Sequence, residues 1–174
     1  MYTHRMAKEG DYKNIMDLIK TNMLEMQLEI GIEWNDENIN KFFRSKTIFV
    51  FEKYSEFIGF YAIDGKENRV FIYSFQLVSK FQNLMSGYHL FKVLINDAIK
   101  NDKEIILCRV FNNNPAKDIY IRLGFKVVEE KDNVFALKLN LYNDLPVKIF
   151  NRLSESTHNN KLHRKNLHYA TVSQ

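Results

Sequence analysis

The sequence has a single cysteine in 174 residues, and no segment is apolar for long enough to cross a bilayer. Cys108 lies in the apolar run IILCRV, so a disulfide framework is excluded, and the residue is more simply a small buried side chain than a nucleophile. The first residues, MYTHRMAKEGDYK, lack the apolar core of a signal peptide. We therefore expect a soluble protein of the reducing cytoplasm.

The histidines also lack the pattern of a metal site. His158, His163 and His168 are widely spaced and have no cysteine or carboxylate partners, and His89 stands alone on a predicted helix. We expect no bound metal.

What the chain does contain is enough for one folded domain. Its composition is 45% hydrophobic and 14% aromatic, and we find no internal repeat. Residues 142–174 hold five basic residues against two acidic ones, so most of the net charge of +4 lies there. We predict a domain at 1–141 and a basic, partly helical or disordered extension at 142–174. A solvated extension is its usual explanation; contact with RNA, a membrane surface or an acidic partner is the alternative.

Hydrophobic periodicity predicts the element order β-α-α-β-β-β-α-β-α-β-β. The predicted strands are 2–7, 47–54, 56–64, 70–78, 105–110, 125–129 and 134–141. The predicted helices are 11–23, a second one capped by Asp36, 86–100 and 114–123. Asp64-Gly65-Lys66 predicts a turn, and a strand that returns after a helix usually pairs in parallel. The expected fold class is α+β, with a mixed and mostly antiparallel sheet flanked by helices.

The stretch 70–99 has the pattern of a ligand site. An apolar run, VFIYSFQLV, is followed by the polar break SKFQNLMSG and then by a helical pattern. The first N–H groups of a helix have no partner within it, and the helix dipole is positive at that end. This junction therefore suits a phosphate group.

Two motifs resemble the GNAT superfamily of N-acetyltransferases. The run 82–87, QNLMSG, stands where that family has Gln/Arg-x-x-Gly-x-Gly/Ala; Met85 replaces the first glycine and Gly87 matches the last. The run 114–125, NPAKDIYIRLGF, matches its Asn-x-Ala-x-x-x-Tyr-x-x-x-Gly-Phe pattern without a gap. The resemblance covers about residues 1–141 and implies that the fourth and fifth strands of the sheet are parallel and splay apart.

The resemblance also implies an acetyl-CoA-dependent N-acetyltransferase in which Tyr120 is the general acid that protonates the departing thiolate. The residues it implies for cofactor binding are Leu77, Val78, Gln82, Asn83, Leu84, Met85, Ser86, Gly87 and Asn114. Ordinary structural roles remain open for three of them. Tyr120 can be a core residue, Asn114 a helix cap and Gln82 a loop glutamine.

The general base is not identified by the sequence. The strand 70–78 offers no carboxylate, so either water relays the proton or a carboxylate comes from the irregular segment after the first helix, which holds Glu25, Glu29 and Glu33. Trp34 can line the acceptor pocket or anchor packing. The partners we expect are acetyl-CoA and an amine acceptor of unknown identity, and a homodimer is left open. The alternatives are a non-catalytic CoA-binding or interaction domain, and acetylation of an aminoacyl-tRNA or a protein.

Overall fold

The computed structural model of the protein describes residues 2–144. The predicted extension at 142–174 lies, from residue 145 onward, outside the described residues and stays a prediction. Among the described residues no helix is both long and apolar enough to span a membrane.

The described chain forms a seven-stranded sheet and four α-helices, in the predicted order. The strands are β1 (Tyr2–Met6), β2 (Thr47–Lys53), β3 (Glu56–Lys66), β4 (Arg69–Leu77), β5 (Ile105–Phe111), β6 (Lys126–Lys131) and β7 (Val134–Asn140). The helices are α1 (Tyr12–Glu29), α2 (Asp36–Arg44), α3 (Leu84–Lys100) and α4 (Ala116–Arg122), with short 3₁₀ turns at Glu9–Asp11 and Ser79–Phe81. The predicted fold class is confirmed.

The sheet has the strand order β1-β2-β3-β4-β5-β7-β6, and every pair is antiparallel except β4 with β5. The parallel pair is short: it runs only from Arg69 opposite Ile105 to Ile72 opposite Cys108. β4 then continues to Leu77 and β5 to Phe111 without pairing to each other. The two strands therefore diverge, as the resemblance implied, and leave a gap in the middle of the sheet.

Helices cover both faces of this sheet. On one face, α3 buries Leu90, Phe91, Leu94 and Ile95, each at most 2% exposed, in the larger apolar core. Their spacing of three and four residues places them on one side of the helix. On the other face, α1 and α2 form a second core, whose buried helical residues are Ile15, Leu18, Ile19 and Phe43. We refer below to the α3 face and the α1 face of the sheet.

Three local predictions were wrong. α1 continues to Glu29, because the residues after Met23 are good helix formers and Gly31, at a φ of +77°, lies just beyond its end. The cap of α2 is Asn35, whose side chain accepts the N–H of Asn38, whereas Asp36 is already the first helical residue.

The third error concerns the turn predicted at Asp64-Gly65-Lys66. These residues pair within the β3–β4 ladder, where Gly65 lies opposite Val70 and Lys66 opposite Arg69. The chain reverses instead at Glu67, which adopts a φ of +52°. A glycine inside a strand can be tolerated when its partner strand closes the ladder, so the local turn signal was overridden by pairing.

Candidate active site

A cleft of about 1060 Å³ opens where β4 and β5 diverge. Residues of α1, α2, β4, the start of α3, β5 and α4 line it. Six of the predicted site residues lie around this one cleft: Leu77, Gln82, Asn83, Gly87, Asn114 and Tyr120. Two strand ends and two helix starts thus meet at the gap, which is where open sheets commonly bind their ligands.

The end of β4 turns main-chain groups into this cleft. The N–H of Val78 donates to Ile58 of β3, so the preceding carbonyl, that of Leu77, points the opposite way, into the gap. That carbonyl is occupied: it accepts from Nε2 of Gln82 at 2.7 Å and from Nδ2 of Asn22 at 3.1 Å. The carbonyl of Val78 accepts the N–H of Phe81.

Three side-chain amides form a connected group around Leu77. Asn22 donates to Oε1 of Gln76 at 2.9 Å, and its own Oδ1 accepts from Gln82 at 3.0 Å. The group joins α1, β4 and the turn before α3. Gln82 therefore has a defined structural role, in which it fixes the turn that leads into α3.

The first turn of α3 presents an unpaired main-chain N–H group. Asn83 caps the helix: its side chain accepts the N–H of Ser86 at 2.9 Å, and its carbonyl accepts the N–H of Gly87. No hydrogen bond within the described residues uses the N–H group of Met85. Met85, the residue that replaces a glycine, is 83% exposed.

Gly87 lies on the cleft side of this helix. A Cβ added to it would meet no protein atom within 4 Å, and its φ is not positive. The fold itself therefore does not require glycine here, and the space in front of this residue is open.

Asn114, two residues before α4, and Tyr120 within α4 lie on the opposite side of the gap. Oδ1 of Asn114 accepts the N–H of Ala116 at 2.9 Å, so the side chain pairs the first helical N–H from a position before the N-cap residue, Pro115. Gly124, at a φ of +100°, follows the helix. The Tyr120 ring packs edge-on against Phe91 and Phe125, with centroids 6.0 and 5.2 Å away.

The Tyr120 hydroxyl forms no hydrogen bond with any described residue, although the side chain lines the cleft. Burial raises its pKa, and the neighbouring Cys108 thiol adds to the increase. Burial also raises the pKa of Cys108 to about 12. At neutral pH both groups keep their protons, so Tyr120 is a neutral phenol that still carries its proton, and Cys108 is not a thiolate nucleophile.

The acidic residues considered as bases lie outside the cleft lining. Glu25 lines a shallow depression on the other side of α1, and Glu33 is exposed between α1 and α2. Glu29 accepts a hydrogen bond from Asn113 at 2.9 Å at the rim, where α1 meets the β5–α4 loop. Trp34 is half-buried against the α1 core and donates to Asp36 at 2.8 Å, so it is a packing residue.

Sequence reasoning missed the polar residue Asn22 and the cleft residues Arg109, Phe42, Phe71 and Tyr73. Strand alternation was a usable signal for three of these. Arg109 interrupts the apolar run of β5, and Phe71 and Tyr73 alternate with buried Val70 and Ile72. Asn22 and Phe42 had no such signal, because their roles depend on how α1 and α2 pack on the sheet.

No family model matches the chain, and no curated protein matches it either. Its fold does match solved structures. The PaiA N-acetyltransferase of Thermoplasma acidophilum, solved in complex with coenzyme A, has a TM-score of 0.66 at 14% identity; the match covers 80% of this chain and 99% of that one. The ribosomal-protein-S18-alanine N-acetyltransferase of Escherichia coli has a TM-score of 0.64 at 14% identity, with 81% and 94% covered.

A third match is YncA of Salmonella typhimurium, solved with its cofactor acetyl-CoA. It has a TM-score of 0.57 at 17% identity, and the match covers 80% of this chain and 94% of that one. At such low identities the likeness is one of fold. The described chain has the fold of the GNAT N-acetyltransferases, with the parallel β4–β5 pair flanked by helices.

Proposed function

We propose that this chain, with its GNAT fold, is an N-acetyltransferase that transfers an acetyl group from acetyl-CoA to a primary amine. One observation carries the proposal: Asn83 and Gly87, which flank the first turn of α3, and Tyr120, whose hydroxyl is unpaired, line one cleft in the sheet. Solved structures of the same fold contain coenzyme A or acetyl-CoA. Fold alone does not determine an activity, whereas the chemical groups in the cleft limit what it can bind and transfer.

The start of α3 suits the pyrophosphate of acetyl-CoA. The N–H group of Met85 is a donor at the positive end of a 17-residue helix, and Gly87 leaves room for close approach. Asn83 supports this donor indirectly, since it caps the helix and occupies the N–H of Ser86.

The diverging end of β4 suits the pantetheine arm, which carries amides and can bond to a strand edge. The Leu77 carbonyl already accepts two bonds, from Asn22 and Gln82. The arm therefore either displaces one of these amides or bonds to N–H groups further back along the unpaired part of β4. Asn114 borders the same path from α4, and its amide N–H groups have no partner among the described residues.

The reaction we propose is direct attack in a ternary complex. The amine nitrogen bonds to the thioester carbonyl carbon, the C–S bond breaks, and Tyr120 donates its proton to the departing sulfur. The protonated state of Cys108 argues against an acetyl-cysteine intermediate. Since no carboxylate lines the cleft in residues 2–144, the proton lost by the amine would pass to water, and water would return a proton to the Tyr120 phenolate.

Binding of acetyl-CoA is the first test. Ligand at 100 times its Kd stabilises a protein by about 2.7 kcal/mol, which for a domain of this size raises Tm by about 5 to 10 °C. We expect a saturable increase of that kind, and we expect thiol release when amines are added. No increase in Tm at millimolar acetyl-CoA would refute the proposal.

A non-catalytic CoA-binding domain is the second candidate. It is favoured by the same lack of a carboxylate among the described residues of the cleft. Saturable acetyl-CoA binding without thioester hydrolysis, and without transfer to any member of a broad amine panel, would support this candidate over the enzyme. The acceptors aminoacyl-tRNA and protein involve the extension, most of which lies outside the described residues.

A further inference from the structure

The cleft is positively charged, which is unusual for a site that binds an amine as acceptor. Among its lining residues in the described chain, Arg109 is the only one that carries a charge, and Asp and Glu are absent. A polycationic acceptor would need carboxylates to balance its other amino groups. The cleft provides instead one fixed positive charge.

Arg109 is placed by the strand register. Ile72 and Cys108 form the last β4–β5 pair and both face α3, so the next residues, Tyr73 and Arg109, lie side by side on the α1 face. This is the point where the strands begin to diverge. The Arg109 side chain forms no hydrogen bond or ion pair with any residue of 2–144, so its guanidinium retains its full set of donors.

Aromatic rings surround this point on the α1 face. The Tyr73 ring lies 5.3 Å from Phe42 of α2 and 4.6 Å from its strand neighbour Phe71, measured between centroids. Phe42 is 41% and Tyr73 37% exposed, and the Lys46 ammonium lies over both rings, 5.1 and 4.3 Å from their centroids. The exposed part of each ring is open to a ligand, with this cation at its edge. Met23 and Met26 of α1 complete an apolar wall that can adapt to the shape of a side chain.

The two faces of the gap carry different groups. The start of α3 and Tyr120 pack with the α3 face, whereas Arg109 and the aromatic wall belong to the α1 face. A cofactor and an acceptor that enter from opposite faces would meet in the gap. The acceptor would then have its amine directed at the thioester and the rest of its structure among these side chains.

From this arrangement we propose that the acceptor is an amine that also carries a carboxylate and an apolar side chain, of which an aromatic α-amino acid is the simplest form. The inference rests on the proposed N-acetyltransferase function. The Arg109 guanidinium binds the carboxylate through paired N–H donors, and the aromatic wall receives the side chain. The free amine then attacks acetyl-CoA; the products are the N-acetyl amino acid and free CoA thiol.

The test compares acceptors that differ only in the carboxylate. L-phenylalanine, L-phenylalaninamide and 2-phenylethylamine share the same ring and amine, and L-lysine adds a second cation. With the wild-type protein we expect kcat/KM for phenylalanine to exceed that for 2-phenylethylamine by about a hundredfold, in line with a charge-assisted bidentate contact. L-lysine should have a lower kcat/KM than L-phenylalanine.

Arg109→Gln should lower kcat/KM for phenylalanine by about a hundredfold and change that for 2-phenylethylamine less than about threefold. Arg109→Lys should restore only part of the loss, because an ammonium lacks the planar fork. Arg69→Gln is the matched control, since Arg69 is exposed at the opposite end of β4; it should behave as wild type with every acceptor.

Failure of this inference and failure of the proposed function give different results. Faster acetylation of 2-phenylethylamine than of phenylalanine would overturn the inference and leave the N-acetyltransferase intact. A change in the KM of acetyl-CoA in Arg109→Gln would assign Arg109 to the cofactor and also overturn it. Acetyl-CoA binding without acetylation of any of these amines would overturn it as well, and no acetyl-CoA binding would refute both proposals.

Discussion

The two faces of the gap between β4 and β5 are built in different ways. On the α3 face, the groups that would hold acetyl-CoA are mainly backbone N–H groups at a helix start, set by a local cap. On the α1 face, the groups that would select an acceptor are side chains from α1, α2, β4 and β5. The α3 face depends on backbone geometry, so it tolerates substitutions such as methionine for glycine at position 85. The α1 face depends on which side chains are present, so substitutions there can change acceptor specificity without changing the fold.

Tyr120 lies where the two faces meet, and its substitution should have the largest effect. Tyr120→Phe keeps the ring contacts with Phe91 and Phe125 but removes the proton donor. We expect kcat to fall by about a hundredfold or more while the Kd of acetyl-CoA changes little. Steady-state kinetics and calorimetry measure the two quantities separately.

Tyr12→Phe is the control for this experiment. Tyr12 lies on α1 under the Arg44 guanidinium, which is 4.2 Å from its ring centroid, and it does not line the cleft. This variant should keep wild-type turnover. If Tyr120→Phe also keeps wild-type turnover, Tyr120 is not the proton donor of the reaction.

The next largest effect should come from Gly59, which supports the strand end shared by both faces. A Cβ at Gly59 would overlap the carbonyl oxygen of Gln76 and lie 2.7 Å from Cδ2 of Leu77. Because the obstacle is backbone, Gly59→Ala should lower the free energy of unfolding by about 3 kcal/mol. Urea denaturation would show a lower midpoint.

Gly65→Ala provides the comparison within the same strand. Its added Cβ would lie 3.6 Å from Cε of Lys103, an ordinary van der Waals contact, and its φ is not positive. We expect its free energy of unfolding to change by less than about 1 kcal/mol. Equal destabilisation by the two substitutions would mean that the end of β4 is not closely packed against β3.

Asn22 connects the faces through hydrogen bonds, and its loss should cost less. Asn22→Ala removes the donors to Gln76 and Leu77, but the Leu77 carbonyl keeps its bond from Gln82. The expected loss is about 1 to 2 kcal/mol of unfolding free energy. Thr21→Ala, one residue earlier and exposed on α1, should stay within about 0.5 kcal/mol of wild type in the same titration. If Asn22→Ala leaves the unfolding free energy unchanged, the hydrogen bonds of Asn22 to Gln76 and Leu77 do not stabilise the fold.

The α3 face was also the more predictable of the two from the sequence. The apolar run of β4, the break at 82–87 and the helical pattern that follows are adjacent in the chain, so local rules found them. The parallel pairing of β5 followed from the single crossover helix. By contrast, the contact of Asn22 with Leu77 spans 55 positions, and it depends on the rotation of α1 about its axis.

The positions of the three candidate glutamates also depend on α1, and local sequence rules could not predict them. The sequence placed Glu25, Glu29 and Glu33 in an irregular segment, from which any of them could reach the cleft. The structure extends α1 through Glu29, so Glu25 is held on the outer side of the helix, and Glu29 is bonded to Asn113 at the rim. A helix that ends six residues later than predicted thus moved Glu25 and Glu29 away from the cleft lining.

The smallest effect, and the one that separates fold from function most directly, concerns Gly87. In the interior of a helix, Gly→Ala raises stability by about 0.5 to 1 kcal/mol, and here the added methyl meets no protein atom. If acetyl-CoA lies against this turn, the same methyl occupies space that the ligand needs. Gly87→Ala should therefore raise Tm slightly and weaken acetyl-CoA binding several-fold. Gly10→Ala, which also has open space but lies outside the cleft, should leave the affinity unchanged. A Gly87→Ala protein that binds acetyl-CoA as tightly as wild type would place the cofactor away from α3, and the α3 face would lose its assigned role.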